Sequence, residues 1–477
     1  MDRDSYQNPL CARYAGRAMQ RVFSDTYKFG MWRRLWVALA ESERELGLPI
    51  TEAQLDELRR NVDNIDYDAA ARYEAALRHD VMAHIRAYGD CCPEAAGIIH
   101  LGATSSYVGD NTSILQLRDA MGLIRGALLG VIRALATFAE RYKDLPCLGY
   151  THFQPAQPTT VGKRAALWLQ ELLLDLEALD AELRGLKFFG CKGTTGTGAS
   201  FLALFDGNTE KVFALERRIA QKMGFSEVCP VAGQTYSRKI DYNILSVLSG
   251  IAQSAAKFAT DLRLLSNLQE LEEPFEDKQV GSSAMAYKRN PMRAERICSL
   301  SRLVMTHALD PALTAASQWL ERTLDDSANR RIVLPEAFLA TDGILMLYRN
   351  IVEGLRVNEG VIARRLRDEL PFLATENILM ACVKRGGDRQ ALHEVIREHA
   401  LASSRLRKET GGDSDLLARI LADDRFGLDE AAIREICDPA AFIGCAPRQT
   451  EDFLREYVRP VLEQNAGHII EADEIIV

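Results

Sequence analysis

Three stretches of this sequence step their apolar residues by three and four in alternation, and nothing else in the chain limits the fold so strongly. The first runs Ile114, Leu117, Met121, Ile124, Leu128, Val131, Leu135 and Phe138. The second runs Leu169, Leu172, Leu176, Leu179, Leu183 and Leu186, and the third Ile244, Leu248, Ile251, Ala255, Phe258, Leu262 and Leu265. A mean step of about 3.5 is the period of helices packed nearly parallel in a bundle. Each stretch lasts roughly 25 to 30 residues, so each helix is on the order of 40 Å long. Two further runs are expected, one from Pro291 through Leu300, Leu303 and Val304, the other from about Ser327 to Val357.

The expected fold class is therefore all-α: a long central five-helix bundle with smaller helical N- and C-terminal domains. Shifts in pattern place the domains at 1–104, 105–357 and 358–477. Shorter helices are expected near 31–47 and 67–88, and sparse extended pieces near 188–204 and 228–231. Leu173, Leu174 and Val247 lie off the main stripes. A helix apolar beyond one seam has more than one neighbour. Either bundles from several subunits pack together, or a thick single-chain core absorbs these residues.

A net charge of −9 over 477 residues excludes a general nucleic-acid binder, so any anion site is a local gathering of cations. The start, "MDRDSYQNPLCARY", has no apolar core of a signal peptide, and no run of about 18 apolar residues predicts a membrane span. Ten scattered cysteines without a CxxC pair read as reduced thiols of a cytoplasmic protein.

Unusual residues collect in the loops between the long helices. "HLGATSSYVGDN" (100–111) puts Thr104, Ser105 and Ser106 at a helix start, where they either bind an anion or cap the helix. "GYTHFQPAQPTTVGKR" (149–164) holds His152, a general acid or base or else a structural histidine, before a helix opening near Pro158. "RHDVMAH" (78–84) lacks HExxH, so His79 and His84 do not read as a zinc site. "FFGCKGTTGTGASF" (188–201) lacks the Walker order and reads as a tight turn. "ERTLDDSANRR" (321–331) gathers arginines at a helix start, which suits a phosphate or a solvated turn. "VGSSAMAYKRNPMRAER" (280–296) sets small residues beside Lys288, Arg289, Arg293 and Arg296. All six are expected at or near helix ends around a bundle and all carry anion-binding groups, so a small polyanion is the natural ligand class.

"GSSAMAYKRNP" resembles the signature loop of the fumarase/aspartase superfamily, G-S-S-x-M-P-x-K-x-N-P. "LGATSSYVGDN" and "THFQPAQPTT" resemble its two other active-site regions, and the likeness runs nearly end to end from "ARY" at 12–14. "RHDVMAH", "KGTTGT", "GQTYSRK" and "ERTLDDSANRR" are similar to the adenylosuccinate lyase branch in its animal-like form. That resemblance implies β-elimination of fumarate from adenylosuccinate, giving AMP, and from succinyl-aminoimidazole-carboxamide ribotide (SAICAR), giving its amide ribotide (AICAR), in purine synthesis. It implies Ser282 as base, His152 as acid, Lys288 as stabiliser of the aci-carboxylate, and Glu295 as a residue orienting a partner such as His152. Residue types alone do not choose between Ser282 and Ser283.

The same resemblance puts Thr104, Ser105, Gln234 and Asn290 on the succinyl part. It puts Arg13, Tyr14, Arg322, Ser327 and Arg331 around the phosphate and nucleotide, with Arg78, His79, Asp80 and Arg296 as further nucleotide contacts. It implies a homotetramer whose bundles combine into a twenty-helix core, each site drawing on three chains, with no metal or organic cofactor. A superfamily lyase of phosphate-free substrates, such as argininosuccinate lyase or fumarase, would leave Arg322, Ser327 and Arg331 without purpose. A catalytically silent structural homologue would not need Ser282, His152, Lys288 and Glu295 together. Ala286 stands where the signature has proline, and Gly198 where animal-like members carry glutamine. Both departures are expected to add backbone freedom without removing a reacting group.

Overall fold

The computed structural model describes residues 4–276, 279, 284–285 and 287–470. Gly281, Ser282, Ser283 and Ala286 of the signature loop lie outside the described residues, and with them the expected base and the proline departure. In chain order, the elements that position the site are α1 (Asp25–Glu45), α2 (Tyr67–Leu77), α3 (Asp80–Cys91) and α4 (Ser105–Arg141). Strands β1 (Pro146–Thr151) and β2 (Gln154–Thr160) follow, then α5 (Val161–Gly185), α6 (Lys239–Asn267) and β3 (Leu271–Glu272). The chain continues through α7 (Met292–His307), α8 (Ser327–Gly354), β4 (Arg356–Val357) and α9 (Glu359–Leu373).

The three counted stripes become α4, α5 and α6, and every residue of the first stripe is buried. Their apolar faces close on one another and on α7 and α8 to form the main core. Trp168 of α5 meets Phe258 of α6 edge-on at 5.1 Å, and Phe258 stacks on Tyr348 of α8 at 4.0 Å. Such aromatic pairs add to the area they bury, and these two fix three helices to one another. By length and composition alone α4 could cross a membrane, but more than half of that window is buried inside the protein.

Direction follows from the contacts at the helix ends. Arg238, just before α6, bonds Asp110 near the start of α4 and Asp326 at the start of α8. β3 pairs with β4 at the far ends of α6 and α8. Thus α4, α6 and α8 run one way. α5 returns, since Arg125 of α4 meets Asp180 of α5 at 2.5 Å, and α7 returns alongside α6, where Cys298 lies 3.8 Å from Thr260.

A second core joins Trp32, Trp36 and Tyr88 to Phe188, Phe189 and Phe201, so the region after α5 folds back onto the N-terminal helices. A third core holds 374–433.

The helix expected after Pro291 and through Val304 is present as α7, 16 residues ending at His307. Three local expectations need correction. The helix expected over 67–88 is two helices, because Arg78 turns left-handed at φ 54° and His79 starts α3 anew. Within 188–204, residues Ala199–Leu204 are helical, and the extended part reduces to a single bridge between Phe188 and Val228. The clearest strands, β1 and β2, lie instead at 146–160, and Pro158 belongs to β2 while α5 opens at Val161. Three prolines in that stretch remove ladder donors and disguise it as loop.

The return from α4 to α5 is tight. A Cβ on Gly162 would lie 2.4 Å from the Ala139 carbonyl oxygen and 2.5 Å from Lys143 Cα, both backbone atoms that cannot swing away. Gly162→Ala is therefore expected to lower stability by about 1–3 kcal/mol through overpacking. Thermal unfolding measures this, and an unchanged melting temperature would contradict the close approach.

Candidate active site

Ser105 opens α4, with Thr104 at the capping position before it. Thr104 makes no side-chain capping bond to that helix, so its half-buried hydroxyl and the N–H groups of Ser105 and Ser106 are left for another acceptor, while the Tyr107 N–H donates to the Thr104 carbonyl. Simple capping, one of the two readings of this loop, is not what Thr104 does. Ser105 Oγ lies 3.3 Å from His79 Nε2, while His79 Nδ1 accepts the Met82 N–H and so caps α3. The His79 ring is therefore pinned between two helix starts. Asp80 follows it, and its carboxylate lies 3.8 Å from the Arg331 guanidinium on the first turns of α8.

The sequence reading missed Lys28 of α1. Its ammonium lies over the Phe29 and Trp32 rings at 4.7 and 5.1 Å. Burial pulls its pKa down; Asp80 opposes that shift and Arg331 adds to it. No motif could have found it, because its place depends on α1 packing beside α3. Arg78, His79, Asp80, Thr104, Ser105 and Arg331 thus gather at one end of the bundle. Arg322, 3.5 Å from Asp326, Ser327 and Gln234 join them there, the Gln234 N–H donating to the Glu321 carbonyl at 3.0 Å.

The phosphate-like segment divides in two. Arg330 is turned inward onto Asp241 and Tyr236, at 2.7 and 2.5 Å, and Asn329 donates to Asp310 and Thr314. Arg331 points outward, its side chain 70% exposed. Only the outward set can meet a ligand.

His152 sits elsewhere. It and Phe153 form the two-residue turn between β1 and β2, with φ of 53° and 57°. Two left-handed residues make the tight hairpin turn that matches strand twist, usually built from Asn-Gly. The imidazole is carried exposed at the hairpin tip. The hairpin is braced from below: Tyr150 donates to Glu270 at 2.7 Å and Arg164 to the Leu148 carbonyl at 2.6 Å.

The same end of the bundle carries the start of α7. Glu273, 7% exposed, accepts the N–H groups of Arg293 and Ala294 at 3.0 Å each, which satisfies the first turn of that helix. Arg293 is spent on Glu276 and the Pro274 carbonyl. Arg289 lies over Phe275 and 3.7 Å from Glu272. Lys288 and Glu295 remain exposed, with Asn290 and Arg296 half-buried.

Helix length separates the two groups. Ser105 and His152 lie beyond opposite ends of a 37-residue helix, about 55 Å apart at 1.5 Å per residue. Arg13 and Tyr14 lie in a third place, with Tyr14 against Gly343 of α8, about 24 Å along that helix from Ser327. One chain therefore displays its candidate residues at both ends and along one flank.

Gly198 precedes the Ala199–Leu204 helix at φ 66°, and a Cβ there would lie 3.0 Å from Val212. Its backbone takes a conformation glycine adopts at no steric cost.

A family model described as "Lyase" matches residues 20–306, and one described as "Adenylosuccinate lyase C-terminus" matches 371–453. The chain is 51% identical over 465 residues to adenylosuccinate lyase of Saccharomyces cerevisiae, covering 97% of this chain and 96% of that one. It is 50% identical over 464 residues to the Schizosaccharomyces pombe adenylosuccinate lyase, with the same coverage. Its fold matches the crystal structure of 3-carboxy-cis,cis-muconate lactonizing enzyme from Pseudomonas putida, with a TM-score of 0.81 at 24% identity over 95% of this chain and 99% of the other.

His84, the histidine set aside as a zinc ligand, is a core residue: 4% exposed, stacked on Phe29 at 3.8 Å. Burial lowers its pKa to about 4, with Arg33 and Lys28 adding to the shift and Asp80 opposing it. Between pH 4 and 6.5 the unfolded chain binds the extra proton, so stability is lost as pH falls through that window. The loss is roughly 3 kcal/mol at full protonation. His84→Phe is expected to flatten that dependence in denaturant titrations at pH 4.5 and 7, and an unchanged pH dependence would contradict it.

Proposed function

The chain belongs to the adenylosuccinate lyase family of the fumarase/aspartase superfamily, and from that premise we propose how its residues divide the reaction. The reaction is β-elimination: adenylosuccinate gives AMP and fumarate, and SAICAR gives AICAR and fumarate. A base takes the proton from the carbon beside a succinyl carboxylate, the C–N bond breaks, and an acid returns a proton to the departing nitrogen.

Ser282 is the proposed base. Its hydroxyl needs nearby positive charge and N–H donors to lose a proton near neutral pH. Lys288 supplies charge that also stabilises the aci-carboxylate, which exists only once the proton has left, so the contribution is specific to the transition state. His152, raised on a braced hairpin tip, donates the proton to nitrogen. Glu295 orients it. Thr104, Ser105, Gln234 and Asn290 take the succinyl carboxylates. Arg13, Tyr14, Arg322, Ser327 and Arg331 take the phosphate and nucleotide, with Arg78, His79, Asp80 and Arg296 around the latter.

One observation carries the assembly: the length of α4 keeps Ser105 and His152 about 55 Å apart in one chain. A substrate of nucleotide size cannot touch both unless they come from different chains. A homotetramer with sites shared among three subunits meets that requirement. The helix surfaces agree with it: Leu167 and Leu174, seven apart on α5, are 52% and 58% exposed, a face that a neighbouring helix would cover. In the tetramer four five-helix bundles would form a twenty-helix core. A cytoplasmic location fits the many free thiols.

The test is the ultraviolet loss of adenylosuccinate. The unmodified enzyme is expected to convert it, and His152→Ala to slow conversion about 100- to 10,000-fold, the range for losing a general acid. Turnover by His152→Ala at the unmodified rate would remove the acid from His152.

A further inference from the structure

Arg238 touches no substrate in the account above, yet it is 3% exposed and lies where three site-bearing segments meet. Its two terminal nitrogens donate to the two oxygens of Asp110 at 3.1 and 3.2 Å. Asp110 is on α4, five residues after Ser105. Arg238 Nε donates to Asp326 at 2.6 Å, and Asp326 directly precedes Ser327 and also receives Arg322 at 3.5 Å. Asp110 further accepts the Tyr236 N–H at 2.9 Å, which ties down the irregular segment carrying Gln234.

Asp326 occupies the capping position of α8 but makes no capping bond, because its carboxylate is committed to arginines. Removing three charged groups from water costs several kcal/mol apiece, and a packed apolar core of the same volume is often at least as stable. What apolar groups could not supply is fixed orientation. A planar guanidinium with its donors in a rigid fork sets angle and distance to both carboxylates at once.

We propose that Arg238 is the positioning residue of the substrate pocket, with two limbs. Through Asp326 it sets Arg322 and Ser327, the phosphate side. Through Asp110 it sets Thr104, Ser105 and Gln234, the succinyl side. The assignment of those sides rests on the functional reading above.

The limbs can be cut separately with substitutions that keep shape. Asp326→Asn is expected to weaken AMP binding about tenfold and leave fumarate within about twofold, since misplacement by an ångström costs up to a hundredfold in such sites. Asp110→Asn is expected to do the reverse. Dissociation constants for AMP and for fumarate are read by calorimetry on the assembled enzyme. If Asp326→Asn does not assemble, Asp326→Glu, which keeps charge and shifts it by one methylene, goes through the same pair of measurements. A purely structural network would lower the melting temperature and leave both constants unchanged or move them together. Either result, in an enzyme whose unmodified form cleaves adenylosuccinate, overturns the positioning role alone. Absence of cleavage by the unmodified enzyme overturns the reading beneath it.

Discussion

The length of α4 governs the rest of the molecule. Thirty-seven helical residues, apolar along one face and buried at every counted stripe position, make a rod of about 55 Å. A rod of that length is stable only with partners along it, and α5, α6, α7 and α8 supply them through the Trp168–Phe258–Tyr348 stack and the aliphatic stripes. The rod also decides where chemistry can sit. Loops exist only at its ends, so Ser105 and His79 gather at one end and His152, Lys288 and Glu295 at the other. The proposed sharing of sites between chains follows from this separation.

At each end the same economy of charge recurs. Some arginines are paired with carboxylates, and other cations are left facing outward where they suit an anionic ligand. Arg330 and Arg293 are consumed by Asp241 and Glu276, while Arg331 and Lys288 face out. In a chain of net charge −9 this sorting produces local positive sites without a basic surface. Glu273 shows the logic at small scale: one carboxylate both neutralises the start of α7 and holds the helix from which Glu295 projects.

The long helices were legible because their signal is periodic and repeated six to eight times within each counted element. The hairpin bearing His152 was not. Prolines 146, 155 and 158 hide its strands, and its turn is built from His152 and Phe153 instead of glycine or asparagine. The break between α2 and α3 was hidden because arginine rarely adopts a left-handed conformation, yet Arg78 does so where His79 caps the next helix. The candidate residues themselves were legible as motif and resemblance. Their separation was not, since distance depends on helix direction, which the contacts of Arg238 and of β3 with β4 reveal. Lys28 belongs to no motif, and Arg238 lies within GQTYSRK without a signal of its role; their charged partners, Asp80 for Lys28 and Asp110 and Asp326 for Arg238, lie more than fifty residues away.

Subunit mixing tests the central claim most directly. Ser105→Ala and His152→Ala chains, each weakly active alone, are unfolded together, refolded and assayed. Sharing of sites between chains predicts that activity returns, to about a quarter of the unmodified level by random assortment into symmetric tetramers. A mixture no more active than its two parents would place Ser105 and His152 in the same chain's site and contradict the account.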